Sequence, residues 1–460
     1  MNPLFRALER PQTRVDRRVL TSGGACALFS LLLACAQSLP GLETPVDRPN
    51  YPTGLALHPS GERLAVVSSN SDLGYARGAL LVADLDELDS FLATSTGAPD
   101  SMSEAPVLNE PYTDGLFIPS FGGKPVFSAN GANLFVTTRE ENQLHQIDVD
   151  SAAQFQLGCG VTGNETTGQI DCGGSSDRNL SIPGNDPISM ALLRDDERIV
   201  EGLVASLLST DLVLFRYDQE SDRLRQKEVF ALNALFTDEL REARGVRALE
   251  IVPGTAEQSA VVFALVEHTA LSNGDPSVDL WWFSLDTLPP NQVQRISLTE
   301  LSGARGASDL AWVPSQNALL VLLREPDSIA RFELSAPLPD AQPQLRALRE
   351  TCDAPVTLRV VSLAQEGDVP STFAYVTCYG EHAVVSIDPL TLRSSSALRF
   401  AGYGPYDLVV QNDHEPPRAF VSFFLDDSIG VIDLMREGVP GLYPRARLGN
   451  ALPQPERGTR

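Results

Sequence analysis

No Cys-x-x-Cys pair occurs in this chain, and only six cysteines are spread over its 460 residues. Zinc ribbons, thioredoxin-type redox centres and c-type haem attachment therefore lack their ligands. Histidine is almost as scarce, at five, and no Gly-x-Ser-x-Gly, His-Glu-x-x-His or Ser-x-x-Lys signature pairs a nucleophile or a metal with a base. The three tryptophans, Trp281, Trp282 and Trp312, are too few for the recurrent docking pattern of a quinoprotein. Positive charge is also short: 35 Lys and Arg stand against 60 Asp and Glu, a formal net charge of −25. Such a surface repels phosphate backbones, which excludes nucleic acid as a partner and simple adsorption to anionic lipid. Long stretches of helical periodicity are nearly absent, which agrees with an all-β chain.

What the chain has in abundance is one hairpin, written repeatedly. When Val136, Val321, Val376 and Val421 are stacked, the segments NLFVTTREENQLHQIDV, ALLVLLREPDSIARFEL, FAYVTCYGEHAVVSIDP and RAFVSFFLDDSIGVIDL align without a gap. Each carries an acid one place before its end: Asp148, Glu333, Asp388 and Asp433. Further copies with shorter or longer turns end at Asp218, Asp84 and Asp286, making seven. A strand precedes each hairpin through a tight turn such as Pro-Ser-Gly or Asn-Gly. It often opens on a proline (Pro52, Pro125, Pro187, Pro355, Pro405), which is tolerated where the backbone need not donate. One more strand-like run follows each acid. The reading is all-β: a seven-bladed β-propeller of four-stranded antiparallel blades over residues 51–449. One four-stranded sheet cannot bury both apolar faces, whereas a ring of seven buries every face against a neighbour. The ring closes either through YPRARLG at 443–449 or through LETPVDR near the N-terminus.

The pattern Pro-x-x-aliphatic, turn, (L/A)-F-V-T, turn, V-x-x-I-D resembles the YVTN-repeat, lactonase-like propellers of bacterial exported proteins. The resemblance implies the fold. Its members include lactone hydrolases, surface-layer proteins and the propeller domain of haem nitrite reductases, so function does not travel with it.

The N-terminal 34 residues carry five arginines against Glu9 and Asp16, leaving about −28 for the rest. They continue into an interrupted apolar run ending Leu32-Leu33-Ala34-Cys35. That ending resembles the bacterial lipobox. It implies a signal peptide over 1–34, lipidation of Cys35, a tether over 35–50 and membrane attachment through the lipid anchor. Ala36 stands where an aspartate would favour inner-membrane retention, so the expected location is the outer membrane, on its periplasmic or surface face. Residues 450–460 read as a tail. Cys159, Cys172, Cys352 and Cys378 then remain, which reads as two disulfides with three connectivities open. Cys159 with Cys172 is the local pair within one Gly-rich loop, leaving Cys352 with Cys378.

Several residues are candidates for a site. Two places after the strand-opening proline or its equivalent stand Gly54, Phe127, Ser189, Asp309, Thr357 and Asp407, expected to line a solvated channel. No cofactor is expected; if a metal were held, the oxygens of Asp309 and Asp407 would suit Ca²⁺. DLDELD at 84–89 lacks EF-hand spacing and reads as a strand-end acid followed by a solvated turn. The five histidines read as turn or surface residues. The polar hairpin turns share one rim, where Asp426 and Asp427 would offer negative charge to a basic partner. The expected function is a lipid-anchored cell-envelope platform that binds a protein or polymer, with loops 91–118 and 150–183 carrying specificity. The alternative is a lactonase-like hydrolase working through an acidic or metal site at the channel mouth.

Overall fold

A computed structural model describes residues 43–449, apart from short segments that are chiefly 151–155, 164–168, 233–240, 255–258, 271–275, 287–289, 335–341 and 365–369. Cys35 and residues 450–460 lie outside the described residues. Seven antiparallel sheets follow one another along the chain, and the first strand of each lies against the first strand of the next, the seventh against the first included, except that the first strand of blade 3 lies against the second strand of blade 2. The protein is a seven-bladed β-propeller. The four aligned valines occupy the same place in their blades: Val136 faces His145, Val321 Ala330, Val376 Val385 and Val421 Gly430. All four are fully buried.

Alternation along the second strand of each blade explains the core. In blade 1, Leu64 and Val66 pack towards blade 7, whereas Ala65 and Val67, on the opposite face, pack towards blade 2. One apolar cluster consequently forms at each of the seven seams, because successive strand side chains point to opposite faces. Burying a Val or Leu there contributes roughly 1.5–3 kcal/mol.

The ring closes on the C-terminal side: Val439–Leu448 is the fourth strand of blade 7. Among the described residues no N-terminal strand joins that sheet. A fifth strand does, Val107–Leu108 from blade 1, which pairs with it in parallel. The helix Leu85–Thr94 belongs to the same insertion. DLDELD is thus the start of a helix and not a solvated turn: Asp84 is its N-cap and accepts the N–H groups of Asp86 and Glu87. Asp89 on this helix pairs with the buried Arg418 of blade 7. The second long loop behaves alike. Cys159 and Cys172 are bonded, with Cα atoms 5.9 Å apart, and the loop they staple adds backbone hydrogen bonds to Phe117 of blade 1. Cys352 and Cys378 form the other disulfide, Cα atoms 5.7 Å apart. The described parts of both loops, 91–118 and 150–183, strap neighbouring blades together. Within the 35–50 segment, Thr44 and Asn50 are buried, and the Asn50 N–H donates to Ser68 Oγ at 3.1 Å in blade 1.

Candidate functional site

Every innermost strand except that of blade 2 slips register near its start, and the slip decides what faces the channel. Thr53, Ile188, Arg247 and Ser308 are bulged out of the ladder, as are Val356 with Thr357 and Tyr406 with Asp407. A bulge re-aims the side chain beside it. The positions Thr53, Ile188, Arg247, Ser308, Val356 and Tyr406 all border a central cavity of ≈ 670 Å³. The expected channel column lies one residue further on, and a shift of one flips the face. Ser189 and Asp309 still contribute to the wall, but Thr357 and Asp407 are completely buried.

That second column holds the seams. Ser189 Oγ accepts the Leu249 N–H at 3.2 Å across the seam between blades 3 and 4. Asp309 Oδ2 accepts the Leu358 N–H at 3.0 Å between blades 5 and 6. Thr357 Oγ1 donates to the Tyr406 carbonyl at 2.9 Å, and Asp407 Oδ2 accepts the Leu55 N–H at 2.9 Å where blade 7 meets blade 1. At Gly54 the next blade comes so close that a Cβ would stand 2.6 Å from the Gly123 carbonyl oxygen. Phe127 packs edge-on against His58, ring centres 5.2 Å apart.

Asp309 and Asp407 already have cations. Lys124 Nζ, from the residue before Pro125, lies 3.2 Å from Asp309 and 3.5 Å from Asp407, and donates to Thr357 Oγ1 at 3.0 Å. Blade 2 is not adjacent to blades 5, 6 or 7, so this lysine ties the ring across its centre. Arg359 completes the group at 3.3 Å from Asp309 and 3.4 Å from Asp407. Two carboxylates and two cations balance, and Ca²⁺ would have to displace Lys124 and Arg359. Among the described residues no cluster of three or more His, Cys, Asp or Glu could hold a metal.

Glu250 of blade 4 falls outside the expected column, because that blade departs most from the repeat and its first strand slips register twice, between Ala243 and Gly245 and between Val246 and Ala248. It borders the cavity, and its Oε1 accepts the Trp312 N–H at 3.3 Å across the next seam. Burial, with Asp309 nearby, pushes its carboxyl from 4.5 up to about 7. Such a carboxylate changes charge near neutrality.

The hairpin rim divides in the same way. Asp427 is 2% exposed, and its Oδ1 accepts the Tyr51 N–H at 2.8 Å; Asp426 accepts the Tyr403 N–H at 2.8 Å and lies 3.6 Å from Arg447. Both acids are turned into the structure instead of standing out as free charge. The positions aligned with Asp427 repeat the bond: Asn142 accepts from Asp186, Asp327 from Ala354, and His382 Nδ1 from Gly404. Each donor directly precedes the proline that opens the next blade, and each has a positive φ: Tyr51 49°, Asp186 61°, Ala354 49° and Gly404 65°. The side-chain acceptor fixes a backbone turn that is otherwise disfavoured for three of these four.

Three places earlier in the same turns stand Arg139, Arg324, Tyr379 and Phe424, and all four border the cavity. Tyr379 and Tyr406 lie 6.3 and 5.6 Å from Phe424, and Tyr51 lies 5.0 Å from it. Arg139 lies 6.0 Å over the Phe121 ring. The stacked hairpins already held this column; what was missing was a reason to read its basic and aromatic residues ahead of the acids. No histidine borders the cavity. Against expectation, His58, His145 and His268 are buried, and His268 lies in a strand, Val261–Ala270. Burial lowers His145 to about 4.

No family model matches the chain, and no curated protein matches it in sequence. Solved structures do resemble it. Hydrazine synthase of Kuenenia stuttgartiensis aligns with a TM-score of 0.53 at 12% identity, over 87% of this chain and 99% of that one. The Swd1 (Cps50) propeller domain of Myceliophteria thermophila gives 0.52 at 13%, over 86% and 100%. The periplasmic gluconolactonase PpgL of Pseudomonas aeruginosa gives 0.50 at 12%, over 82% and 95%. At these identities the likeness is one of fold.

Proposed function

We propose that the protein is a lipid-anchored binding platform of the cell envelope, tethered through Cys35 and engaging an envelope protein or polymer at the mouth of its central cavity. The observation that carries this reading is the convergence of Arg139, Arg324, Tyr379 and Phe424, from four separate hairpins, on one cavity mouth. Aromatic side chains and arginine supply most of the energy of recognition surfaces, and a cavity of ≈ 670 Å³ is of ligand-binding size. The lipobox-like Leu32-Leu33-Ala34-Cys35 and the two disulfides agree with an exported protein. Crosslinking in intact cells tests it. Tyr379→Ala with Phe424→Ala should abolish the crosslinked species, and Cys35→Ala should move the protein out of the membrane fraction. An unchanged crosslinking pattern, or an unchanged fractionation, sinks the corresponding half of the proposal.

A second reading rests on Glu250. A partly buried carboxyl held near pH 7 beside Asp309 and Arg359 is suited to general-base catalysis, and one protein of this fold is a gluconolactonase. Lactone hydrolysis that disappears in Glu250→Gln would establish it. No turnover of lactones by the unaltered protein would leave the platform alone.

A further inference from the structure

The cavity wall has the opposite charge balance to the rest of the molecule. Lys and Arg outnumber Asp and Glu in it by five to two, against 35 to 60 in the whole chain. The arrangement is layered. Asp407, Asp186 and Glu267 hold Arg359, Arg139 and Arg247 at 3.4, 3.2 and 3.0 Å, and none of these three acids borders the cavity. In these three pairs the cation lies in front and an acid behind, while Asp309, which shares the wall, also pairs with Lys124 and Arg359 at 3.2 and 3.3 Å. Arg324 differs from the others: its Nε donates to the Pro355 carbonyl at 3.3 Å, and no carboxylate among the described residues pairs with it. A guanidinium has five N–H donors in a rigid fork that fits a carboxylate or phosphate. Opposite in character are Tyr379, Tyr406 and Phe424, an apolar wall on which a ring can lie. Hydroxyls from Thr53, Ser69, Ser71 and Ser308 complete the lining.

We infer that the cavity mouth takes an oxyanion carried on a ring, of the size of a sugar acid or sugar phosphate, whether free or as a unit of a polymer. Arg324 and Arg139 meet the charge, and the aromatic wall meets the ring face. The inference rests on the mouth being the binding surface and specifies what enters it. An acid group excluded from most of this acidic surface finds there the matching guanidinium groups.

Calorimetric titration of the full chain in neutral detergent tests it, with glucuronate, glucose 6-phosphate and glucose as probes. Glucuronate or glucose 6-phosphate should bind at least about tenfold more tightly than glucose, and which of the two wins separates carboxylate from phosphate recognition. Arg324→Glu should weaken that binding by about tenfold or more, while Arg198→Glu on the outer surface, where Arg198 pairs with the exposed Glu220, should leave it unchanged. If Arg324→Glu does not fold, Arg324→Gln and Arg139→Gln must show the same loss in direction. Equal binding of glucose, indifference to these arginine changes, or no binding of either acid up to about 10 mM overturns the inference. The platform reading would survive that result if Tyr379→Ala with Phe424→Ala still removed the crosslinked partner, so the two failures are distinguishable.

Discussion

Phe424 and Asp427 stand three positions apart in one hairpin turn, yet the two belong to different parts of the molecule. Phe424 borders the cavity, as do Arg139, Arg324 and Tyr379 at the aligned positions. Asp427 locks the next blade, as do Asn142, Asp327 and His382. The first set spans cations and aromatics; the second is always a side-chain acceptor. The innermost strands draw the same distinction one residue apart, Tyr406 facing the cavity and Asp407 the seam. A seam position must satisfy a fixed backbone N–H or carbonyl, so few side chains serve. A cavity position has only a ligand to satisfy, and its chemistry is open.

The distinction breaks most visibly at Asp407. This carboxylate is fully buried between Lys124 and Arg359 and also accepts the Leu55 N–H. Asp407→Ala leaves two cations and an amide short of a partner at the closing seam and should cost about 3–5 kcal/mol. Urea unfolding monitored by circular dichroism reads this directly. A loss below about 1 kcal/mol would mean that the cluster is solvated and that the seam does not depend on it. Asp427→Ala should follow at about 1–3 kcal/mol, since it strands the Tyr51 N–H and places alanine at a φ of 51°.

How much of this was legible in the sequence follows from the range of the signals. Seven hairpins could be counted because alternation, turn residues and a terminal acid are local features, and the valine stack gave the right register in four blades. Closure by Val439–Leu448 was one of two candidates, undecidable because both segments read as plausible edge strands. The column error came from the bulges: an extra residue leaves no mark on an apolar–polar pattern, yet it exchanges the faces of everything beyond it. Lys124 was invisible for a different reason. It stands outside its strand, and its partners Asp309, Thr357 and Asp407 are 185, 233 and 283 positions away, reachable only once the ring has closed.

Glu250 sharpens the comparison because it serves both sides, bordering the cavity and accepting across a seam. Its carboxyl is raised to about 7 in the folded chain from an ordinary 4.5. Between those values the unfolded chain gives up this proton first, so ionisation favours unfolding, and this group's contribution to stability falls as pH rises through that window. Above about 7 the penalty is complete. Glu250→Gln should therefore gain on the unaltered protein as pH increases from 5 to 8. A melting-temperature difference that stays constant across the range would show that Glu250 is not held protonated.

The smallest effect on stability is expected where the cavity side is altered alone. Tyr379 is partly exposed at the mouth, with its ring 6.3 Å from Phe424, and among the described residues no hydrogen bond across a seam runs through its side chain. Tyr379→Ala should change folding free energy by no more than about 1 kcal/mol, well short of Asp407→Ala. Its consequence should instead be in capture, where loss of one aromatic wall weakens binding at the mouth by about tenfold. Measured together, the two substitutions form a crossed pair: one affects folding and the other recognition. If Tyr379→Ala destabilised the fold as much as Asp407→Ala while binding held, the cavity-facing positions would be structural as well, and the division between seam and mouth would fail.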